Sequence, residues 1–177
     1  MHASSHNNRH SIRLKNYDYC QAGAYFTTIC TQDRACDFGN VIDGEMYLNE
    51  IGRIASQCWH ALPQHFPKAE LDGSIFMPNH LHGIIVLPDA VNEGTACRAP
   101  TEQFSKPVPG SIPTMVRSFK SAVTRLIHQQ GITRNVKFWQ RNYWEHIVRD
   151  ESELHQLRDY IENNPKQWAL DKFYVKV

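Results

Sequence analysis

The distribution of apolar residues along the first half of the chain predicts β-structure. The segment 22–31 is rich in β-branched and aromatic residues and predicts a first long strand. The segment 39–48 predicts a small hairpin, because Asp43-Gly44 is a favoured two-residue turn between apolar positions. The chain therefore opens with a strand followed by a hairpin.

Two further apolar runs, 71–77 and 80–87, predict a pair of strands that meet at a Pro78-Asn79 corner. A later aromatic-dense segment, 136–149, predicts a short strand or extended segment.

Two stretches show the helical spacing of apolar residues. The first follows Asn49, a good N-cap, and is expected to end at Pro63. The second runs over 112–130, and Gly131 ends it. The apolar positions that support these helices are Ile51, Ile54, Ala55, Cys58 and Leu62 in the first, and Ile112, Met115, Val116, Phe119, Val123, Leu126 and Ile127 in the second.

A third helix is predicted after Asp150. Asp150 followed three residues later by Glu153 is a capping-box variant, and Pro165 closes the helix after Asn164. Tyr160 and Asn164 lie four positions apart and therefore share one face of this helix.

The order of elements predicts an α+β fold, an antiparallel sheet with helices on one face, in a single domain spanning 1–177. Residues 1–10 are polar and predict a flexible tail. The segment 89–112 shows no periodicity and predicts a long mobile loop. The segment 167–177 could supply one more strand.

Composition and charge restrict the class of protein and the cellular compartment that we expect. The net charge of +1 excludes a strongly basic protein but leaves room for a local basic face. Five cysteines without a C-x-x-C pair favour a reducing compartment. The chain starts without the apolar core of a signal peptide and has no membrane-length apolar run, so we expect a cytoplasmic protein and no membrane contact.

The first candidate for a functional site is His80-Leu81-His82 on the predicted strand 80–87. Side chains alternate along a strand, so both imidazoles point to the same face. Two neutral imidazoles on a rigid strand are a good start for a metal site, but a third ligand must come from elsewhere. The alternative interpretation is two polar residues that open a strand.

Basic residues form a second candidate. Arg117, Lys120 and Arg125 lie on the polar face of the helix predicted over 112–130, where they could bind phosphates or simply be solvated. Arg13 and Lys15, near the N-terminus, could follow a nucleic-acid backbone or belong to a surface strand.

Three motifs together resemble the REP-associated tyrosine transposases, a group of single-tyrosine HUH transposases. They are Met77-Pro78-Asn79-His80-Leu81-His82-Gly83, the segment 139–150 (WQRNYWEHIVRD) and the segment 159–165 (DYIENNP). The resemblance covers about residues 11–170. It implies a ferredoxin-like or RRM-like fold with the histidine pair on an inner strand and a C-terminal helix that carries the nucleophilic tyrosine.

The resemblance also implies the site residues. The nucleophile corresponds to Tyr160, with Tyr143 as the less favoured competitor, and the metal ligands to His80, His82 and Asn164, which replaces the Gln common in relatives. Mg²⁺ or Mn²⁺ is the expected ion. Tyr160 would attack a phosphodiester of single-stranded DNA and give a 5′-phosphotyrosine and a free 3′-OH.

The expected partner is single-stranded or hairpin DNA resembling REP elements, and relatives occur both as monomers and as homodimers. DNA contact is expected from the basic residues named above and from Arg141. Two alternatives stay open: an RRM-like nucleic-acid-binding module without catalysis, and a metal-dependent phosphoesterase that uses Glu145 or His146 as ligand or base.

Overall fold

The structure is a computed structural model, and it describes residues 17–89, 108–132 and 137–175. The predicted tail 1–10, the basic residues Arg13 and Lys15, and most of the predicted loop 89–112 lie outside the described residues. The described strands are β1 Gly23–Cys30, β2 Gly39–Ile42, β3 Glu45–Leu48, β4 Glu70–Met77, β5 His80–Leu87 and β6 Trp144–Ile147. The described α-helices are α1 Glu50–His60, α2 Leu62–His65, α3 Ile112–Gln129 and α4 Glu151–Asn163.

Four strands form the central sheet in the order β4-β5-β1-β6, and every neighbouring pair is antiparallel. The β2-β3 hairpin forms its own two-stranded sheet. Without this hairpin and the four-residue helix α2, the order of strands and α-helices up to β6 is β1-α1-β4-β5-α3-β6. This order and this strand arrangement are the ferredoxin-like topology, so the predicted α+β fold is confirmed.

Both faces of the sheet are covered. Helices α1 and α3 pack on one face, where the larger hydrophobic core includes the fully buried Trp59 and Phe119 in edge-to-face contact at 5.5 Å. Helix α4 packs on the opposite face through Leu154 and Ile161, against Phe26 of β1 and Ile84 of β5. Two of the three long helices therefore share one face, and α4 lies alone on the other.

Several local predictions are confirmed. The hairpin turns at Asp43 and Gly44, whose φ angles of 51° and 77° fit a type I′ turn. Asn49 caps α1 by accepting a hydrogen bond from the amide of Gly52 at 2.9 Å. Asp150 caps α4 by accepting from the amide of Glu153, and the side chain of Glu153 accepts from the amide of Arg149, one residue before the usual partner in a capping box.

Two predictions need correction. Helix α1 already ends at His60, and Pro63 then lies in the first turn of α2, where a proline is tolerated because its missing amide has no partner in any case. The described part of the tail forms a 3-10 helix, Pro165–Leu170, and no strand up to residue 175. The short strand expected within the aromatic segment 136–149 is, by contrast, confirmed, because β6 occupies four of its residues.

Gly83 allows β5 to pass directly beneath α1. A Cβ atom at this position would lie 2.3 Å from Cζ2 of the fully buried Trp59. The strand that carries His80 and His82 can therefore approach the indole only if the residue after them has no side chain.

We expect Gly83→Ala to destabilise the fold by about 1–3 kcal/mol, because the added methyl group overpacks a rigid core contact. Urea unfolding followed by circular dichroism measures the change. Gly73→Ala on β4 is a matched control, since its methyl would meet Ile161 at an ordinary 3.5 Å. Equal unfolding midpoints for the two variants would contradict the argument.

Candidate active site

The two histidines of β5 are buried side by side on the sheet face that α4 covers. Their side chains are 0% and 1% exposed, and the Nε2 atoms of His80 and His82 lie 3.0 Å apart. In the register of the sheet, His82 lies opposite Thr28 of β1. The period-two prediction that both imidazoles share one face is therefore met by the geometry.

Asn79 sets the orientation of His80. Its amide nitrogen donates to the carbonyl oxygens of Arg34 at 3.1 Å and Phe173 at 2.9 Å. Its side-chain oxygen can then only accept, so the Nδ1 of His80, 2.9 Å away, must carry the proton. The Nε2 of neutral His80 is left with a free lone pair, which is the form that binds a metal ion.

His82 has a more adaptable partner. Its Nδ1 lies 2.9 Å from the hydroxyl of Thr28, which can donate or accept a hydrogen bond. His82 can therefore carry its proton on Nε2, facing His80, or on Nδ1, with Nε2 free for a metal ion.

Burial keeps both imidazoles neutral. Burial lowers the pKa of His80 to about 3, and the positive charges of Lys172 and Arg34 add to the effect. Burial also lowers the pKa of His82, and His80 contributes further. Both rings are therefore neutral at physiological pH without any need for a nearby acid.

Helix α4 brings Tyr160 to the same place. The hydroxyl oxygen of Tyr160 lies 3.2 Å from the Nε2 of His82, and its ring meets the His82 ring edge-on at 5.2 Å. A bidentate pair holds the helix to β4, since Arg158 donates to both carboxylate oxygens of Asp72 at 2.9 and 2.6 Å. The residue that the resemblance implied as nucleophile thus adjoins the histidine pair.

The phenol of Tyr160 is protonated in this environment. Burial raises the pKa of Tyr160, the negative charge of Asp171 raises it further, and a hydrogen bond from Asn164 acts in the opposite direction. Tyr160 is still 39% exposed as a residue, so part of it stays accessible to solvent and to a ligand.

Two side-chain oxygens could complete a metal site. One carboxylate oxygen of Asp171 lies within 4.8 Å of a ring nitrogen from each of His80 and His82. Asn164 is buried, donates to Asp171 at 3.3 Å, and its Oδ1 has no hydrogen-bond partner among the described residues. A buried oxygen without a partner is costly, and a cation would satisfy it.

Sequence reasoning missed Asp171. It lies in the segment after the 3-10 helix, where the chain has no periodicity and no motif places an acidic residue. The same segment puts the ring of Phe173 against His80, with 4.6 Å between centroids. No signal in the sequence could have found either contact.

The competing site residues lie elsewhere. Tyr143 packs against the larger core, on the α3 side of the sheet, and its ring is 6.0 Å from the amine of Lys120. Glu145 pairs with Thr27 in the register, so it points to that same side. His146 is on the His82 side, but its Nε2 bonds Glu153 at 2.8 Å. The structure does not bring these three residues to the histidine pair.

The predicted basic residues lie around Trp139. Arg117 and Arg125 are exposed on α3, and with Lys120 they line an open depression beside Trp139. Arg141 is exposed in an adjoining depression that shares Trp139. Because α3 packs on the sheet face opposite the histidine pair, this surface is separate from the candidate active site.

Lys120 is occupied in a structural role. Its amine donates to the carbonyl oxygens of Gln140 at 2.9 Å and Asn142 at 3.2 Å, while the indole of Trp139 donates to the Lys120 carbonyl at 3.0 Å. Burial lowers the pKa of Lys120 to about 8. Lys120 thus ties α3 to the segment that leads into β6.

None of the helices in the described part of the chain has the length and apolar character needed to span a lipid bilayer.

Comparison with known proteins gives two relatives that match nearly the whole chain. An uncharacterised Haemophilus influenzae protein is 41% identical over 172 residues, which cover 94% of this chain and 93% of the relative. A second H. influenzae protein, provisionally named a REP-associated tyrosine transposase, is 29% identical over 177 residues, covering 93% of this chain and 88% of that protein.

A solved structure has a similar fold. It is a REP-associated tyrosine transposase bound to a REP hairpin, with a TM-score of 0.58 and 21% identity over 90% of this chain and 76% of that one. No family model matches the chain.

The bonds of the Lys120 amine give a test of its role. We expect Lys120→Met to lower the free energy of unfolding by about 1–3 kcal/mol, because two backbone carbonyl oxygens lose their donor. Arg117→Met, on the exposed face of the same helix, is the control and should stay within about 0.5 kcal/mol of the parent chain. Thermal or urea unfolding measures both, and an unchanged stability of the Lys120 variant would contradict a structural role.

Proposed function

Because the chain belongs to the family of REP-associated tyrosine transposases, we propose that it cleaves and rejoins single-stranded DNA through a covalent bond to Tyr160. The observation that carries the proposal is the 3.2 Å approach of the Tyr160 hydroxyl to the Nε2 of His82. A nucleophile within one hydrogen bond of a pair of side chains able to hold a metal ion suits phosphodiester cleavage by a tyrosine.

In the proposed reaction the Tyr160 oxygen attacks the phosphorus of a phosphodiester. A tyrosine–phosphate bond forms, the bond between phosphorus and the 3′ oxygen breaks, and that oxygen takes up a proton from solvent, so that the strand leaves with a free 3′-OH. Because burial and the charge of Asp171 raise the pKa of Tyr160, the phenol would lose its proton only as it attacks, and solvent would take up that proton. A 3′-OH can later attack the phosphotyrosine and rejoin the strands, because the number of phosphoester bonds is conserved.

The residues at the site fit a divalent metal ion. His80 and His82 would hold it through Nε2, and the oxygens of Asn164 and Asp171 would complete the ligand set. Nitrogen and carboxylate or amide oxygen ligands suit Mn²⁺ and Mg²⁺. When bound, such an ion polarises the scissile phosphate and stabilises the charge that develops on it.

One chain supplies all the proposed parts. Tyr160 reaches His82 of its own chain, and Asn164 and Asp171 come from the same C-terminal region. The proposed cleavage therefore needs no tyrosine from a second copy, whether or not the protein forms a homodimer.

The basic surface around Trp139 supports DNA binding. Arg117, Arg125 and Arg141 are exposed around that one indole, in adjoining depressions. A cluster of cations beside an aromatic ring suits a phosphate backbone. We propose this surface as the binding site for hairpin DNA of the REP type; a protein with a similar fold was solved bound to a REP hairpin. Arg13 and Lys15 remain predicted contributors, whereas the amine of Lys120, also predicted to contact DNA, is bonded to the carbonyl oxygens of Gln140 and Asn142.

We expect Tyr160→Phe to abolish the covalent protein–DNA adduct, because the ring keeps its packing but loses the attacking oxygen. Denaturing gel electrophoresis of a labelled single-stranded oligonucleotide incubated with the protein and Mn²⁺ detects the adduct. Tyr143→Phe is the matched control and should leave the adduct yield unchanged, since Tyr143 packs on the other side of the sheet. An adduct that persists in Tyr160→Phe and disappears in Tyr143→Phe would reverse the assignment.

We expect His80→Ala to weaken Mn²⁺ binding by at least about tenfold, as measured by isothermal titration calorimetry, because ligands and their orienting partners typically contribute 10- to 100-fold. Asn164→Ala and Asp171→Asn each remove one oxygen donor, and the larger loss identifies the third ligand. His146→Ala, an imidazole on the same sheet face but bonded to Glu153, should leave the affinity unchanged. Unchanged affinity in His80→Ala would place the ion elsewhere.

A further inference from the structure

An exposed tryptophan lies at the edge of the sheet beside the proposed nucleophile. Trp144 begins the edge strand β6 and is 47% exposed. It lies opposite Thr28 in the register, so its side chain is on the same face as that of His82. Its ring is 5.8 Å from Phe26, which itself stacks on His82 at 5.2 Å and meets Tyr160 at 6.2 Å. One aromatic ring therefore separates the indole from the site.

The indole is held in a fixed orientation. The ring of His146 lies parallel to it, with an interplanar angle of 3° and 5.7 Å between centroids. The Nε2 of His146 is fixed by the Glu153 carboxylate at 2.8 Å, and the other oxygen of Glu153 accepts from the amide of Arg149. The first turn of α4, the helix that carries Tyr160, thus also fixes the pair of rings on β6.

A cation lies over the Trp144 ring and the neighbouring ring of Phe173. The exposed amine of Lys172 is 5.8 Å from the centroid of Trp144 and 5.0 Å from that of Phe173. A flat aromatic surface with an adjacent positive charge matches the two parts of a nucleotide, the base and its phosphate. The position next to Tyr160 restricts the occupant further, because the cleaved strand must reach that hydroxyl.

We propose that Trp144, backed by His146, is a stacking platform for a nucleobase of the single strand next to the cleaved phosphate, and that Lys172 contacts a neighbouring phosphate. This inference rests on the proposed function, in that it assumes a single strand enters the site. The platform would read the presence of a base and not its identity, because every base offers a flat face. It positions the strand and takes no part in bond formation.

The test measures binding of the whole chain to fluorescein-labelled (dT)₂₀ by anisotropy, with EDTA present so that neither metal nor cleavage is needed. Trp144→Ala should weaken binding by about 5- to 150-fold, the range for loss of one base–aromatic stack. Trp144→Phe should recover most of the affinity. Tyr47→Ala, which removes an equally exposed ring on β3, is the control and should bind like the parent chain.

A backbone of the same length in which abasic sites replace the thymidines separates stacking from charge. We expect the parent chain and Trp144→Ala to bind this oligomer equally. Equal affinity of the two proteins for (dT)₂₀, or an equal loss on both oligomers, would overturn the proposal.

Cross-linking covers the case in which Trp144→Ala fails to fold. The parent chain is irradiated with (dT)₂₀ that carries 5-iododeoxyuridine, and the modified peptide is identified by mass spectrometry. A cross-link at Trp144 supports the platform, and cross-links confined to other peptides overturn it. If a base contacts Trp144 but Tyr160 forms no covalent adduct, the proposed function is wrong and the stacking platform is supported. If Tyr160 forms the adduct but no base contacts Trp144, the proposed function is supported and the stacking platform is wrong.

Discussion

The burial of two neutral imidazoles with their Nε2 atoms 3.0 Å apart is the constraint on which the rest of the site depends. Such a pair is expensive to bury, because two ring nitrogens that face each other share at most one proton. Asn79 commits His80 to a single tautomer, while Thr28 lets His82 take either. The fold thus presents one permanent lone pair and one that becomes available when a cation replaces the shared proton.

The sheet makes this arrangement rigid from both sides. On one face, β5 can approach α1 only because Gly83 leaves room for Trp59. On the other face, the ion pair of Arg158 with Asp72 fixes α4 to β4 and sets the position of Tyr160. Because each element is held by contacts outside the site, the hydroxyl and the imidazoles meet without relying on their own weak hydrogen bond.

The sequence could predict what depends on local periodicity and capping. The alternation of side chains along a strand placed His80 and His82 on one face of the sheet, and helical spacing placed Tyr160 and Asn164 on one face of a helix. Only the resemblance to a family predicted that these two pairs of residues meet in one site. Asp171 and Phe173 could not be predicted, because their segment has no period and its position is set by long-range contacts such as the bond from Asn79 to the Phe173 carbonyl. Lys120 is a residue whose position was predicted but whose role was not. It lies on the polar face of its helix, as predicted, yet its amine bonds carbonyl oxygens of a segment distant in the sequence.

The residues proposed for DNA cleavage and those proposed for DNA binding lie on opposite faces of the sheet. Tyr160 and the histidine pair lie on the α4 face, whereas the cations around Trp139 lie on the α3 face. A DNA molecule that contacts both must pass an edge of the sheet, and β6 is the edge that lies next to Arg141 in the chain and carries Trp144 on the α4 face. The cations on the α3 face would then hold the phosphate backbone of the duplex. Stacking of a base on Trp144 at the β6 edge would direct a single strand toward Tyr160. Under the proposed function, a chain with a net charge of only +1 would still bind a polyanion, because its cations need only cluster along one path.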